Sequence, residues 1–451
     1  MIETARTKAW SVLAQASERS HVLYGWQSQR FGPLGRIDGA RGVELFESGG
    51  RAVLDFCAGQ VNVNVGYGHP HVLAALRKQM ESFCYVAPNL ASESRERLAE
   101  MVVEAAPGSE LSWVFFSNSG SEAVENAMKI AWAFTGRRKL YAAWTSYHGA
   151  TPGASAMSGD PRRLFVEPGL PGIRHFHAPT GWRCPFAPDD PEESARLCLS
   201  TFEDQALRDG PETIAAVFLE PIAGTSGLYK WPASFVRGLR AFCDKHGILL
   251  VFDETMSGWG RSGTWFACEH YDVLPDIMVT AKGITSGYVP LGATLITDRI
   301  RGAFVSRPFV AGLTTEGHAL ACAAGIANLE VYRNEGLIEH SRELGVLLKE
   351  HLAHLKERHA SVGDVRSEGL FGCIELTADR EARSPLAGFR NSERDVAGQI
   401  VQRLWAAGLF LIAKWDFIFI APPLVIATDD LERGLEMIDQ VLDFTDAVIH
   451  S

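Results

Sequence analysis

The stretch DIMVTAKGITSGYVPLGA, residues 276–293, places Lys282 at the end of a short apolar run and follows it with Gly283, Gly287 and Gly292. A short apolar run that stops at a turn reads as a buried strand, so Lys282 stands at a strand exit. A solvated surface lysine is the ordinary alternative, because ammonium groups are rarely buried unpaired. The surrounding chain decides between the two.

From about residue 111 the texture is strand, turn, helix, repeated. LSWVFF (111–116) is apolar and β-prone, SNSG (117–120) is a turn, and SEAVENAMKIAWAF (121–134) carries Ala123, Ala127, Ile130, Ala131 and Phe134 at helical spacing. KLYAAW (139–144), IAAVFLE (214–220), ILLVFDE (248–254), DIMVTA (276–281) and GATLIT (292–297) read as further strands. Continuous apolar strands alternating with helices predict an α/β fold with a mostly parallel sheet covered on both faces. PTGWRCPFAPDDPEES (179–194) reads as a long loop. Residues 1–50 hold one helix-compatible segment and then LYGWQSQRFGPLG (23–35), too irregular for a core and expected to be an arm or loop. Beyond 320 a helix-rich segment (318–359) leads to short strands at GLFGCIEL (369–376) and FIFIAPPLVI (417–426), then to an amphipathic helix. This pattern fits a smaller α+β domain. No internal repeat or low-complexity segment interrupts it.

Length and composition bound the function. At 451 residues two domains are expected. With 46% hydrophobic and 22% charged residues, the chain has an ordinary soluble enzyme's composition. Forty-three Lys and Arg against 54 Asp and Glu give a formal net charge of −11, which argues against nucleic acid or an anionic membrane as partner. Eight cysteines (Cys57, Cys84, Cys184, Cys198, Cys243, Cys268, Cys322, Cys373) include no CxxC pair, so neither a zinc knuckle nor a disulfide framework is expected. The opening MIETARTKAWSVLAQASERS mixes charges throughout and lacks the apolar core of a signal peptide. No run approaches the roughly 20 apolar residues of a spanning helix. A cytoplasmic enzyme without a metal is expected.

In open α/β sheets ligands bind beyond the carboxyl ends of strands, and three such places carry polar residues. At SNSGSEA (117–123), Ser119, Gly120 and Ser121 lie between a strand and a helix N-terminus, where free N–H groups and the dipole suit a phosphate. An ordinary helix cap by Ser119 or Ser121 is the alternative. At LLVFDE (249–254), Asp253 requires a cationic partner or neutralisation; a structural salt bridge, for instance to Arg261, is the alternative to a site role. No further carboxylate or histidine stands nearby at metal-ligand spacing. Lys282 is the third, since a lysine in a low-dielectric site has a depressed pKa and attacks carbonyls. A phosphate cradle, an acid for a protonated ring nitrogen and an imine-forming lysine are the functions that pyridoxal 5′-phosphate needs. Tyr147, in WTSYHGAT (144–151), has a ring that either stacks on the cofactor or packs in the core, and His148 follows it.

With these residues in place, the sequence resembles the class III, or ω-type, aminotransferases of the fold-type I pyridoxal phosphate enzymes. The resemblance runs from VNVGYGHP (63–70) to APPLVI (421–426) and is most specific at FSNSGSEAVENAMKIA, SYHG, LEPIAG, FDETMSGWGRSGTWFA, PDIMVTAKG and PLGA. It implies a large domain with a seven-stranded-type sheet over 56–325, a C-terminal small domain over 326–451, and an N-terminal arm with part of the small domain over 1–55. It implies that Lys282 binds the cofactor covalently and Asp253 pairs with the pyridine nitrogen. Gly120 and Ser121 would hold the phosphate and Tyr147 would cover the ring. Glu220, opening the E-P-[IV] motif, would lie close by. Thr314, in GLTTEGHA (312–319), would reach the phosphate of the neighbouring subunit's cofactor, so a homodimer with shared active sites is implied.

Departures from the family pattern bear on the substrate. GLTTEGHA replaces G-H-T-Y-S-G-H-P, which introduces Thr315, Glu316 and Ala319. Val61 stands where many relatives carry a bulky residue, an expected enlargement of the pocket. Thr255 and Met256 follow the DE pair in place of Val and Gln, which changes the contacts beneath the cofactor. FLIAKWDFIFIAPPL (410–424) lacks the mobile arginine that relatives use to grip a carboxylate bidentately; Lys414 is its nearest cation, and Arg261 is another candidate for the grip. These features point to amine transfer between a carbonyl acceptor and a primary amine lacking an adjacent carboxylate: an ω-amino compound, sulfonate amine, diamine or amino sugar. The same motifs also serve aminomutases, epimerases and decarboxylases. A non-catalytic cofactor-binding protein is the remaining alternative, and the intact Lys282, Asp253 and phosphate turn argue against it.

Overall fold

A computed structural model describes residues 21–26, 32–387 and 395–449. The helix expected ahead of residue 23 lies outside them. The centre is a seven-stranded sheet built from Leu111–Ser117 (β1), Lys139–Ala143 (β2), Ile173–Phe176 (β3), Ile214–Leu219 (β4), Leu249–Asp253 (β5), Ile277–Thr280 (β6) and Gly292–Thr297 (β7). Their order is β1-β7-β6-β5-β4-β2-β3. All run parallel except β7, which pairs antiparallel with β1 and β6. The edge strand β3 is the one that sequence reasoning missed: IRHF is short and half polar.

Successive strand residues point to opposite faces, and both faces are apolar here. Val251 and Val279 pack with Ala123, Ala127 and Ile130 of the helix Gly120–Thr135 on one side. Leu250, Phe252 and Met278 belong to the larger core on the other. Two-sided burial explains why these strands read as unbroken hydrophobic runs.

A second sheet is antiparallel, in the order Val362–Glu368, Phe371–Asp379, Phe417–Ile420 and Ile412–Lys414. The helix-rich segment forms Ala319–Asn334 and Leu337–Arg358, separated at Gly336, whose φ of +62° ends the first helical run. Much of 32–55 corrects the expectation of irregular chain. Ile37–Arg41, Glu44–Glu47 and Ala52–Asp55 form an antiparallel meander, and Ala52–Asp55 pairs in parallel with Leu409–Phe410. Gly49 and Gly50, at φ +106° and +88°, make the turn into its last strand. Among the described residues no helix is long and apolar enough to cross a membrane.

Arg261 joins these parts. Its side chain is fully buried and donates to Asn64 Oδ1 (2.6 Å), the Leu370 carbonyl (3.0 Å) and the Pro422 carbonyl (2.5 Å). Burial pulls its pKa down to about 10. It makes no salt bridge to Asp253, which overturns the structural pairing considered above. Replacing it by leucine leaves three buried acceptors unpaired, so Arg261→Leu is expected to lose on the order of 3 kcal/mol of stability. Urea unfolding measures this, and an unchanged midpoint would mean that those acceptors find other donors.

Candidate active site

Five of the parallel strands deliver polar residues to one edge of the sheet. Ser119 follows β1, Tyr147 and His148 follow β2, Glu220 follows β4, Asp253 ends β5 and Lys282 follows β6. The antiparallel β7 begins at the same edge, where a Cβ on Gly292 would lie 2.4 Å from the Ser119 carbonyl oxygen. Glycine at 292 therefore lets the turn after β1 close against the sheet.

At the turn after β1 the helix-cap reading is met. Ser119 is the helix cap, its Oγ accepting from the Glu122 N–H (3.2 Å). Gly120 and Ser121 are the first two helical residues, whose N–H groups have no intrahelical acceptor. Ser121 Oγ accepts from the Ala150 N–H (3.0 Å). A Cβ on Gly120 would lie 3.2 Å from Thr255 Oγ1, and that hydroxyl is buried without a partner. Two free N–H groups and an orphaned hydroxyl at a helix N-terminus suit a phosphate.

Asp253 is 3% exposed, and its carboxylate is fixed on both oxygens. Oδ2 lies 2.9 Å from His148 Nδ1, and Oδ1 accepts from the Thr255 N–H (3.0 Å). Burial works to lower the His148 pKa, but the hydrogen bond and charge of Asp253, with Glu220 and Asp160 beyond it, outweigh burial and raise it. His148 thus stands behind Asp253, with its Nε2 buried and unpartnered. Glu220 accepts from the Tyr147 N–H (2.9 Å) and the Gly224 N–H (3.0 Å), and burial pushes its pKa up to about 7.

Lys282 is half-buried, and its side-chain amine makes no hydrogen bond among the described residues. Burial lowers its pKa from 10.5 to about 8, partly offset by the charges of Asp253 and Glu220. Its φ is +47°, the left-handed region that an L side chain enters at a cost. The strained turn is pinned: the Gly283 carbonyl accepts from Asn328 Nδ2 (2.7 Å) and the Tyr332 hydroxyl (3.0 Å). A Cβ on Gly283 would collide with Asn64 Nδ2 and with Trp259 Cβ, each at 2.7 Å. The glycine after Lys282 is a packing requirement.

The remaining residues singled out from sequence fall in four settings. Val61 is 4% exposed, packed in the larger core, and at φ +55° is a strained β-branched residue. Glu316 accepts from its own loop at the Leu313 N–H (2.9 Å). Thr314 is exposed, and its carbonyl accepts from the Tyr85 hydroxyl (2.8 Å). Lys414 lies 3.2 Å from Asp160 and 3.7 Å from the Trp415 ring centroid. Sequence reasoning missed Asp160 and Arg162. Arg162 hydrogen-bonds Asp160 and covers the Tyr147 ring, its Cζ 3.5 Å from the centroid. Their one visible signal is an acid before a proline and two arginines, DPRR (160–163), which opens the 3-10 helix Pro161–Phe165 with Asp160 as its cap.

The set fits pyridoxal phosphate: N–H groups and hydroxyls for the phosphate, a positioned carboxylate, an aromatic ring and an amine of depressed pKa. Known proteins agree. Residues 30–442 match the family described as aminotransferase class-III. Over 437 residues the chain is 33% identical to taurine–pyruvate aminotransferase of Bilophila wadsworthia, covering 92% of this chain and 93% of that protein. Over 411 residues it is 34% identical to the 4-aminobutyrate aminotransferase of Escherichia coli strain K12, covering 90% and 93%. The solved taurine:2-oxoglutarate aminotransferase from Bifidobacterium kashiwanohense, in complex with pyridoxal phosphate and glutamate, superimposes with a TM-score of 0.93 at 36% identity, covering 97% of this chain and 98% of that one. On this agreement of site and sequence, the chain belongs to the class III aminotransferases, pyridoxal-phosphate-dependent enzymes of fold type I.

Proposed function

We propose that the enzyme moves an amino group from a primary amine with no carboxylate on its amine-bearing carbon to a 2-oxo acid, aldehyde or ketone. The observation that carries this is the commitment of Arg261. Arg261, the arginine that the sequence offered for gripping an α-carboxylate, is fully buried and spent on Asn64, Leu370 and Pro422. Omega-amino compounds, sulfonate amines, diamines and amino sugars remain as donors. Taurine and 4-aminobutyrate, in the names of the two relatives, are amines of this kind.

Bound pyridoxal phosphate supplies an electron sink for the substrate carbon. Gly120 and Ser121, through their N–H groups, and Thr255, through its hydroxyl, hold the phosphate. Asp253, kept in place by His148 and the Thr255 N–H, holds the proton on the ring nitrogen. Glu220 fixes the Tyr147 backbone so that the ring covers the cofactor. With the cofactor bound, Lys282 Nζ would be the base that takes the proton from the amine-bearing carbon and would hold it as an ammonium until it is returned.

The enzyme works as a homodimer with shared sites. Thr314 is exposed and, among the described residues, only its carbonyl is engaged, by Tyr85, which leaves its hydroxyl for the phosphate of a neighbouring subunit's cofactor. All eight cysteines are free and only Cys84 is exposed, which supports a reducing, cytoplasmic setting.

Three outcomes test this. Purified holoenzyme mixed with single amines is expected to convert its cofactor with donors that lack an α-carboxylate, followed in the visible spectrum; reaction with α-amino acids alone sinks the donor class. Lys282→Ala is expected to lower the rate of that half-reaction by about a thousandfold or more, and near-normal turnover would remove Lys282 from the chemistry. Because the free Lys282 amine has a pKa of about 8 rather than 10.5, its nucleophilic form grows as pH rises through about 8. Uptake of pyridoxal phosphate by apoprotein should accelerate over that range, whereas a rise only above pH 10 would mean that burial does not act on this lysine.

A further inference from the structure

Asp160 is 4% exposed, yet it faces two cations from distant parts of the chain. Arg162 Nε lies 3.1 Å from its Oδ1 and 2.9 Å from its Oδ2, and Nη2 also bonds Oδ2. Lys414, at the end of the strand Ile412–Lys414, brings Nζ to 3.2 Å from the same Oδ2. One carboxylate against two cations leaves a local surplus of one positive charge. Burial works to raise the Asp160 pKa, but Arg162 and Lys414 outweigh it and hold it below the carboxylate range, while burial and the Arg162 charge lower Lys414 to about 8.

The surplus sits beside the reacting centre. Arg162 lies on the Tyr147 ring, and its charge acts at Lys282. Nη2 also donates to Thr225 Oγ1 (2.9 Å), while Nη1 makes no hydrogen bond among the described residues. The Arg162 and Lys414 side chains keep 24% and 23% of their surface exposed, so both cations are accessible. A partly desolvated cation without a full complement of anions gains most from an incoming one. A guanidinium fork and an ammonium point charge together accommodate two or three terminal oxygens.

We infer that Arg162 and Lys414 form an anion subsite for the sulfonate or carboxylate of a substrate, with Asp160 as the residue that positions both cations. The inference rests on the amine-transfer reading and narrows it: diamines and amino sugars bring a second cation or no charge to a place that repels the first and gains nothing from the second. The anion is carried by the far end of the amine donor or by the 2-oxo acid acceptor.

The test has a binding arm and two kinetic arms. In calorimetric titration of the holoenzyme, propane-1-sulfonate, which has no amine to react, is expected to bind more tightly than butan-1-ol. Lys414→Met and, on a different segment, Arg162→Gln should each weaken the sulfonate by about tenfold or more, the size of a charged hydrogen bond. In the donor half-reaction the readout is the ratio of kcat/KM for 2-aminoethanesulfonate to that for propylamine. In the acceptor half-reaction it is the ratio for pyruvate to propanal. A fall of the first ratio in the variants places the anion on the amine, and a fall of the second places it on the acceptor. Sulfonate affinity unchanged in both variants, with both ratios unchanged, overturns the subsite. If no amine reacts with any form of the enzyme, the amine-transfer reading fails, and the calorimetric arm still decides whether the subsite binds anions.

Discussion

The geometry of the reactive lysine depends on a guanidinium that never touches it. Arg261 has no carboxylate partner among the described residues; its two terminal nitrogens donate to Asn64 and to two carbonyls from the C-terminal part of the chain, and its Nε is buried without a partner. Asn64 in turn donates to the Trp259 carbonyl (3.1 Å) and packs against Gly283. The Trp259 indole reaches back to Thr280 Oγ1 (2.6 Å) at the end of the lysine's strand. Three distant segments are thereby locked around the turn that holds Lys282 at positive φ. A left-handed lysine persists only where its surroundings over-determine it, and this network provides that. The cost of burying Arg261 is the condition for a strained and half-buried amine.

The same edge of the sheet gathers ionisable groups that would each be unfavourable alone. Burial pushes Glu220 up to about 7 and Lys282 down to about 8, toward one another and toward neutrality. His148 moves against burial because Asp253 is hydrogen-bonded to it. Each residue therefore sets the charge state of another. Groups with pKa values near the working pH exchange protons with the least driving force wasted, and a site of converging values is better suited to moving a proton than a site of isolated charges. Glu220 is tied to two backbone N–H groups, so its part is to hold the loop that carries Tyr147.

Much of this was legible in the sequence, for a physical reason. Strands buried on both faces carry apolar residues at every position, so a polar residue at the end of one, such as Asp253 or Lys282, stands out. Ser119 was ambiguous because a cap and a phosphate contact ask for the same residue; the bond to the Glu122 N–H shows the cap. The strands at 37–55 were lost in glycine-rich chain, although Ser48-Gly49-Gly50 between two short apolar runs is a turn signal. Arg261 was visible as a candidate partner for Asp253, but its actual acceptors lie 197, 109 and 161 residues away in sequence. Asp160 and Arg162 lie at the start of the short 3-10 helix Pro161–Phe165, too short to show a periodicity, and the pairing of Asp160 with Lys414 spans 254 residues. Periodicity reports which face of an element is buried, whereas side-chain contacts between distant segments leave no local trace.

The absence of an arginine before APPL then has a structural counterpart. An aminotransferase binds two substrates in turn at one place, and a donor without an α-carboxylate and a 2-oxo acid acceptor with one make opposite demands on a cation there. A lone arginine would stand unpaired whenever the uncharged end of a substrate lay against it. Lys414 always has a partner in Asp160, and Arg162 has two, Asp160 and Thr225. Neither is left as an isolated buried charge when no anion is present, so the penalty for an empty or uncharged subsite is small. Because two cations share one carboxylate, an anion can still be taken without first breaking both pairs. Sharing one acid between two bases lets the same surface meet substrates of different charge, a property that a single strongly paired or wholly unpaired cation lacks.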